Sequence, residues 1–203
     1  MRKLIGVLLV VFGFGLVVNG QTAYEQSILL KRAKTDSSFR DTSVSILPKS
    51  EIEHFSGLHY FPVSEEYKVE AKFVKKVGKS FEMQTSTSRK PIYRQYGYLT
   101  FTVEGQKGKL YLYQQVASLE NSDTVNGYLF CPFRDLTNKD SSYGGGRYLD
   151  FKLTETENRV VTIDFNTCYN PYCAYNNRYS CPVPPKENTL KFRIEAGVKK
   201  WHD

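Results

Sequence analysis

The 203-residue sequence predicts an all-β domain of about eight strands, mainly antiparallel and closed into a barrel or folded as a two-sheet sandwich. A short N-terminal helix precedes it, and a long irregular C-terminal loop follows. Three observations carry this. From Tyr67 onward apolar and polar residues alternate with a period of two, the signature of half-buried strands. Glycines and asparagines punctuate that alternation at short intervals, as turns require. The segment Asp164–Asn188 holds four prolines, four tyrosines and three cysteines with almost no aliphatic residue, which suits neither a helix nor a central strand.

The chain opens MRKLIGVLLVVFGFGLVVNGQT. Arg2 and Lys3 form a basic start, Leu4 to Val18 is apolar, and Val18-Asn19-Gly20 is a small-residue site. This is the layout of a secretory signal peptide cleaved near Gly20–Gln21. The apolar run is shorter than the roughly 20 residues a spanning helix needs. The expected product is exported, periplasmic or secreted, with no stable membrane span after cleavage. Residues 1–20 are therefore assigned to the signal peptide, 21–50 to an N-terminal helix and connector, and 51–203 to the β domain, with 21–203 as one structural unit. Processing lowers the formal charge of +7 by two. The remaining basic residues are scattered among tyrosines and threonines, which reads as the solvated face of strands. No nucleic-acid partner is expected.

Gln21–Lys34 has a helical pattern, with Tyr24, Ile28, Leu29 and Ala33 on one side. The polar run Thr35–Ser45 reads as a connector, and Ser50 as the cap of a short turn with Glu53 at the capping-box position. Strands are expected at Tyr67–Lys76, Ser80–Thr85, Ile92–Val103, Lys109–Val116, Tyr128–Phe133, Arg147–Leu153, Val160–Phe165 and Leu190–Ala196. Turns are expected at Gly78, Gly97, Gly105–Gly108, Asn126-Gly127 and Asn158. The tyrosines and phenylalanines at 93, 96, 98, 101, 111 and 113 fit cross-strand packing. There is no internal repeat.

Several strings recur together: FSGLHYFPVSEEYKVEAKF (55–73), FRD (133–135), YGGGRYLD (143–150), DFNTCYNPYCAYNNRYSCPVPPKEN (164–188) and IEAG (194–197). With them the chain resembles the domain of unknown function family 1684, in a short form typical of exported bacterial proteins, from about Tyr24 to Lys199. The resemblance implies boundaries and key positions but no reaction. Cys173 and Cys181 belong to the resembling pattern. Cys131, Thr167, Cys168 and Val198 depart from it.

Four cysteines in an exported chain invite disulfides. Cys173–Cys181 would staple the loop, leaving Cys131 and Cys168; the alternative is a reactive thiol at Cys173 or Cys181. In YGGGRYLD, the amides of Gly144, Gly145 and Gly146 beside Tyr143 and Arg147 suit a carboxylate, phosphate or sulfate. The alternative is a turn or bulge with Arg147 paired internally to Asp135 or Asp164. Asn166, Tyr169, Asn170, Tyr175 and Asn188 suit a polar ligand, with Asp164 and Glu187 as a candidate acid–base pair. Equally, these groups can satisfy the backbone of a loop without a ladder. The three histidines (His54, His59, His202) match no metal spacing, and neither metal nor cofactor is expected. The favoured reading is binding of a small polar or anionic molecule where the GGGR turn meets the Asp164–Asn188 loop. The alternatives are a hydrolase or transferase using a Cys173/Cys181 thiol or the Asp164/Glu187 pair, and a structural envelope module without ligand.

Overall fold

A computed structural model describes residues 21–116 and 127–202; the expected signal peptide and Asn126 lie outside them. The architecture is a mostly antiparallel sheet curled into a half-barrel. Its seven strands are β1 (Lys68–Lys75), β2 (Ser80–Glu82), β3 (Ile92–Val103), β4 (Gln106–Gln115), β5 (Tyr128–Phe133), β6 (Arg147–Lys152) and β7 (Val160–Asp164). They run in the order β6-β5-β4-β3-β1-β7, with β2 added to β3. The alternating faces explain the curl. Ala71 and Phe73 of β1 stand beside Phe101 and Leu99 of β3, and Ala71 also faces Val161 of β7. All point into one core with Leu110, Leu112, Leu129, Phe133 and Phe165, while Lys68, Glu70 and Lys72 face solvent. The long central hairpin closes through Glu104 and Gly105, both at positive φ (47° and 73°), the two-residue turn that matches strand twist. Gln106 to Gly108 therefore extend β4 and do not form the turn expected there. Gly97 is likewise not a turn. It follows a bulge inside β3, where the Phe73 ring leaves no room for a Cβ.

Two elements differ from the sequence expectation for identifiable reasons. Helix α1 spans Ala23–Arg40, capped by Thr22 accepting from the Glu25 N–H at 3.1 Å, and it continues through the polar run expected to be a connector. Thr35 and Ser38 bond back to the Lys31 and Thr35 carbonyls at 3.1 and 2.7 Å, so their hydroxyls are met within the helix. Phe39 then anchors the last turn among Phe55 and Tyr175. The buried face of α1 is Ile28 and Phe39, with Ala33 exposed. Ser50 lies inside the short helix α2 (Lys49–Ile52), whose cap position is Pro48 with no side-chain cap.

The eighth expected strand, Leu190–Ala196, is not one. Its alternation is real, because Leu190, Ile194 and Ala196 enter the core. Its backbone, however, is held by side chains. The Ile194 N–H donates to Asp135, and the Ile194 and Ala196 carbonyls accept from Arg147. Asn188 makes a similar graft between β4 and β5. It accepts the Tyr111 N–H at 2.7 Å and donates to the Tyr111 and Pro132 carbonyls at 2.9 and 2.8 Å. Pro132 has no N–H to pair with β4, and the Asn188 amide bridges the gap.

Candidate functional site

Helix α1 and the chain from Asn166 to Tyr175 enclose a cleft of about 460 Å³. Ile28, Phe39, Leu58, Tyr60, Tyr172, Tyr175 and Val198 make its apolar and aromatic walls. Arg32 enters from the helix, four residues after the buried Ile28, and so occupies the inward stripe. Its Nη1 donates to the Phe61 carbonyl at 3.0 Å, and its guanidinium stacks 4.5 Å from the centre of the Tyr60 ring. Its Nε and Nη2 are buried without a hydrogen-bond partner in the protein, as is Oδ1 of Asn170 in the same cleft. Asn170 itself is buried and donates to the Lys199 carbonyl at 2.8 Å. Desolvation pulls the Arg32 pKa down, opposed by the charges of Tyr60, Cys168, Tyr24 and Asp164. Burial pushes the Tyr60 hydroxyl up, aided by Asp36. At the rim, Tyr169 donates to Asp150 at 2.5 Å, and burial raises the Asp150 carboxyl against that bond. A second cleft of about 360 Å³ adjoins across Lys31, Asp150 and Thr167, bounded by α1, β6 and β7.

The residues suggested by sequence separate into two groups. Asn166, Tyr169, Asn170 and Tyr175 all line the cleft. Among them Asn166 is tied up internally, donating to the Ser64 carbonyl and Tyr24 hydroxyl and accepting the Ser64 N–H. Arg147 is elsewhere and fully buried. It pairs with Asp135 at 2.8 Å and donates to Thr137 and to the carbonyls of Ile194, Ala196 and Val198. The internal-scaffold alternative therefore describes Arg147, whose terminal nitrogens are both taken up internally and whose unpartnered Nε is sealed from solvent. Gly146, at φ 99°, packs so closely on the Phe133 carbonyl and Pro184 that a Cβ would stand 2.6 and 2.7 Å from them. The GGGR turn does meet the loop, but in tight packing and not as a pocket. Tyr143, Gly144, Gly145 and Asn188 do not line the cleft either.

Asp164 and Glu187 do not form a pair. Asp164 accepts the Tyr24 hydroxyl at 2.8 Å on β7, whereas Glu187 accepts that of Tyr113 on β4 at 3.0 Å. Those strands are three places apart in the sheet, roughly 14 Å. All four cysteines are free thiols, so the anticipated disulfides are not formed. Cys131 and Cys168 lie in the core, where burial raises both, Cys168 to about 11. Cys173 and Cys181 are neighbours. The Cys173 N–H donates to the Cys181 sulfur at 3.2 Å, and a hydrogen bond from Cys181 pulls the Cys173 thiol down to about 6 while Cys181 rises. Among the described residues no cluster of His, Cys, Asp and Glu could hold a metal, and no helix is long and apolar enough to cross a membrane.

Sequence reasoning missed Arg32, Lys31, Phe39, Leu58 and Tyr60. The signal was there, since Tyr24, Ile28, Arg32, Asp36 and Phe39 form one helical stripe. A charged residue in mid-stripe is unusual for a face that packs on a core.

An open half-barrel crossed by a helix, with a one-sided cleft under that helix, defines the class. Within it, the chain belongs to the family described as "Protein of unknown function (DUF1684)", whose model matches residues 53–199. It is also similar to an uncharacterized protein of Haloarcula marismortui solved in solution by NMR. The identity is 32%, over 87% of this chain and 94% of that one, with a TM-score of 0.64. No curated protein matches. The family match begins after α1, so Arg32 lies outside the matched region while Tyr60, Asn170 and Tyr175 lie within it.

Proposed function

We propose that this protein is exported and binds a small polar or anionic molecule in the cleft between α1 and the Asn166–Tyr175 chain. One observation carries the reading: two donors of Arg32 and one acceptor of Asn170 are buried in the same cleft without protein partners. Buried polar groups are nearly always matched, and leaving one unmatched costs about 1–3 kcal/mol. A site that supplies both a donor edge and an acceptor, between aromatic walls, suits a ligand that completes them. The cleft replaces the GGGR turn as the binding position, because Arg147 is fully buried and both its terminal nitrogens are committed to Asp135, Thr137 and backbone carbonyls. The test is protein-detected NMR against a panel of small acids, amines and neutral sugars. Shifts should concentrate at Tyr60, Asn170 and Tyr175; shifts confined to the GGGR turn, or spread over the surface, overturn the reading. Sequencing the amino terminus of the exported protein tests processing, with Gln21 expected first.

A second reading, a thiol-dependent hydrolase or transferase at Cys173, is favoured by the lowered thiol beside Cys181. It requires a base positioned for proton transfer. Besides Cys181, Ser86 and the Tyr143 hydroxyl, the latter 4.0 Å from the sulfur, hydrogen-bond this thiol.

A further inference from the structure

We infer that the cleft takes a monocarboxylate with a flat apolar body and a hydrogen-bond donor at its other end. The inference rests on the cleft being a binding site and specifies its ligand. The two unpartnered nitrogens of Arg32 are Nε and Nη2, which share one edge of the guanidinium; the third, Nη1, is bound to Phe61. That side-on edge presents two parallel N–H groups, the geometry that matches the two oxygens of a carboxylate. Single orphaned Nε atoms occur at Arg94, Arg134 and Arg147, but among the described residues Arg32 is the arginine with the whole edge unmatched.

Charge narrows the class further. Arg32 is the half-buried cation of the cleft with Nε and Nη2 shielded from solvent, Lys31 stands exposed at its rim, and Asp150 is the acid lining it. One desolvated cation balances one negative charge, and a dianionic phosphate would add an uncompensated charge facing Asp150. The walls set the body of the ligand. Phe39, Tyr60, Tyr172 and Tyr175 offer ring faces and edges, and a volume of about 460 Å³ accommodates a single small ring system with substituents. Asn170 Oδ1 and Asp150 are acceptors, so the far end of the ligand carries a hydroxyl or amine.

The experiment measures binding of 4-hydroxyphenylacetate, 4-hydroxyphenylacetamide and phenyl phosphate by calorimetry, with NMR shifts locating each. The acid should shift cleft resonances and bind at least about tenfold tighter than the amide or the phosphate, since the charge-assisted pair is worth roughly that factor. Arg32→Lys, which keeps the charge but loses the paired edge, should weaken the acid about tenfold, and Arg32→Met more. If the amide or phosphate binds in the cleft as well as the acid, or both variants bind the acid unchanged, the carboxylate assignment falls and the cleft survives as a site. If none of the three moves a cleft resonance, the binding reading falls with it.

Discussion

Arg147, fully buried, and Arg32, half-buried, both turn guanidinium nitrogens away from solvent, yet their surroundings are built to different ends. Around Arg147 the protein supplies a carboxylate, a hydroxyl and three backbone carbonyls, so that the guanidinium replaces a strand in holding Ile194 to Val198. Around Arg32 it supplies one carbonyl and an aromatic face, and leaves an edge unmatched. The difference teaches how to tell scaffold from site when both guanidinium groups are drawn out of solvent. Charge is shared; what separates them is that Arg147 leaves a single Nε unmatched while Arg32 leaves the whole Nε–Nη2 edge unmatched.

The largest effect should come from Arg147→Met. It leaves Asp135 as an uncompensated buried charge and strips the donors from the C-terminal segment, at a cost of about 3–5 kcal/mol. Denaturant unfolding reads this directly, and a loss under about 1 kcal/mol would end the claim that Arg147 stands in for a strand. Asn188→Ala extends the same logic to β4 and β5. Without the amide, the Tyr111 N–H and the Tyr111 and Pro132 carbonyls lose their partner, and stability should fall by about 3 kcal/mol. Far less should follow from Arg32→Met. The lost Phe61 bond and Tyr60 stacking are offset by relief of a desolvated, half-matched guanidinium, so unfolding should stay within about 1 kcal/mol of wild type. A loss of about 3 kcal/mol or more there would make Arg32 a second scaffold and erase the contrast.

What could be read from the sequence follows the same division. Ile92–Val103 and Tyr128–Phe133 are strands with the bounds their alternation predicts, because backbone ladder and side-chain period agree. Leu190–Ala196 has the same period, but its ladder is made by Arg147 and Asp135, and nothing local announces a side chain that replaces a strand. The loop half of the cleft was legible because Tyr169, Asn170 and Tyr175 sit in a stretch with no core of its own. The helix half was not. Thr35 to Ser38 look non-helical until their back-bonds are seen, and Arg32 resembles any solvated helix charge until Ile28 and Phe39 show which face is inside.

The smallest effect on stability, and the sharpest local contrast, belongs to the cysteines of the Asn166–Cys181 chain. Cys168 is buried beside the Arg147 cage with its thiol raised to about 11, while Cys173 is half-buried and lowered to about 6 by the Cys181 hydrogen bond. A depressed thiol pKa favours the folded state above that pKa, but Cys181 shifts the opposite way, so reactivity and not unfolding is the useful readout. The thiolate attacks iodoacetamide and displaces iodide, so the rate at Cys173 should climb as pH rises through about 6 and then level off. Cys168 and Cys131 should stay unmodified in the native protein across that range, since each is buried and held protonated. Mass spectrometry of the alkylated peptides separates the sites. A Cys173 rate still climbing between pH 7 and 9 would mean that Cys181 does not stabilise the thiolate. Cys181→Ala, which removes the donor, should then leave the profile unmoved; otherwise the alanine variant shifts it upward.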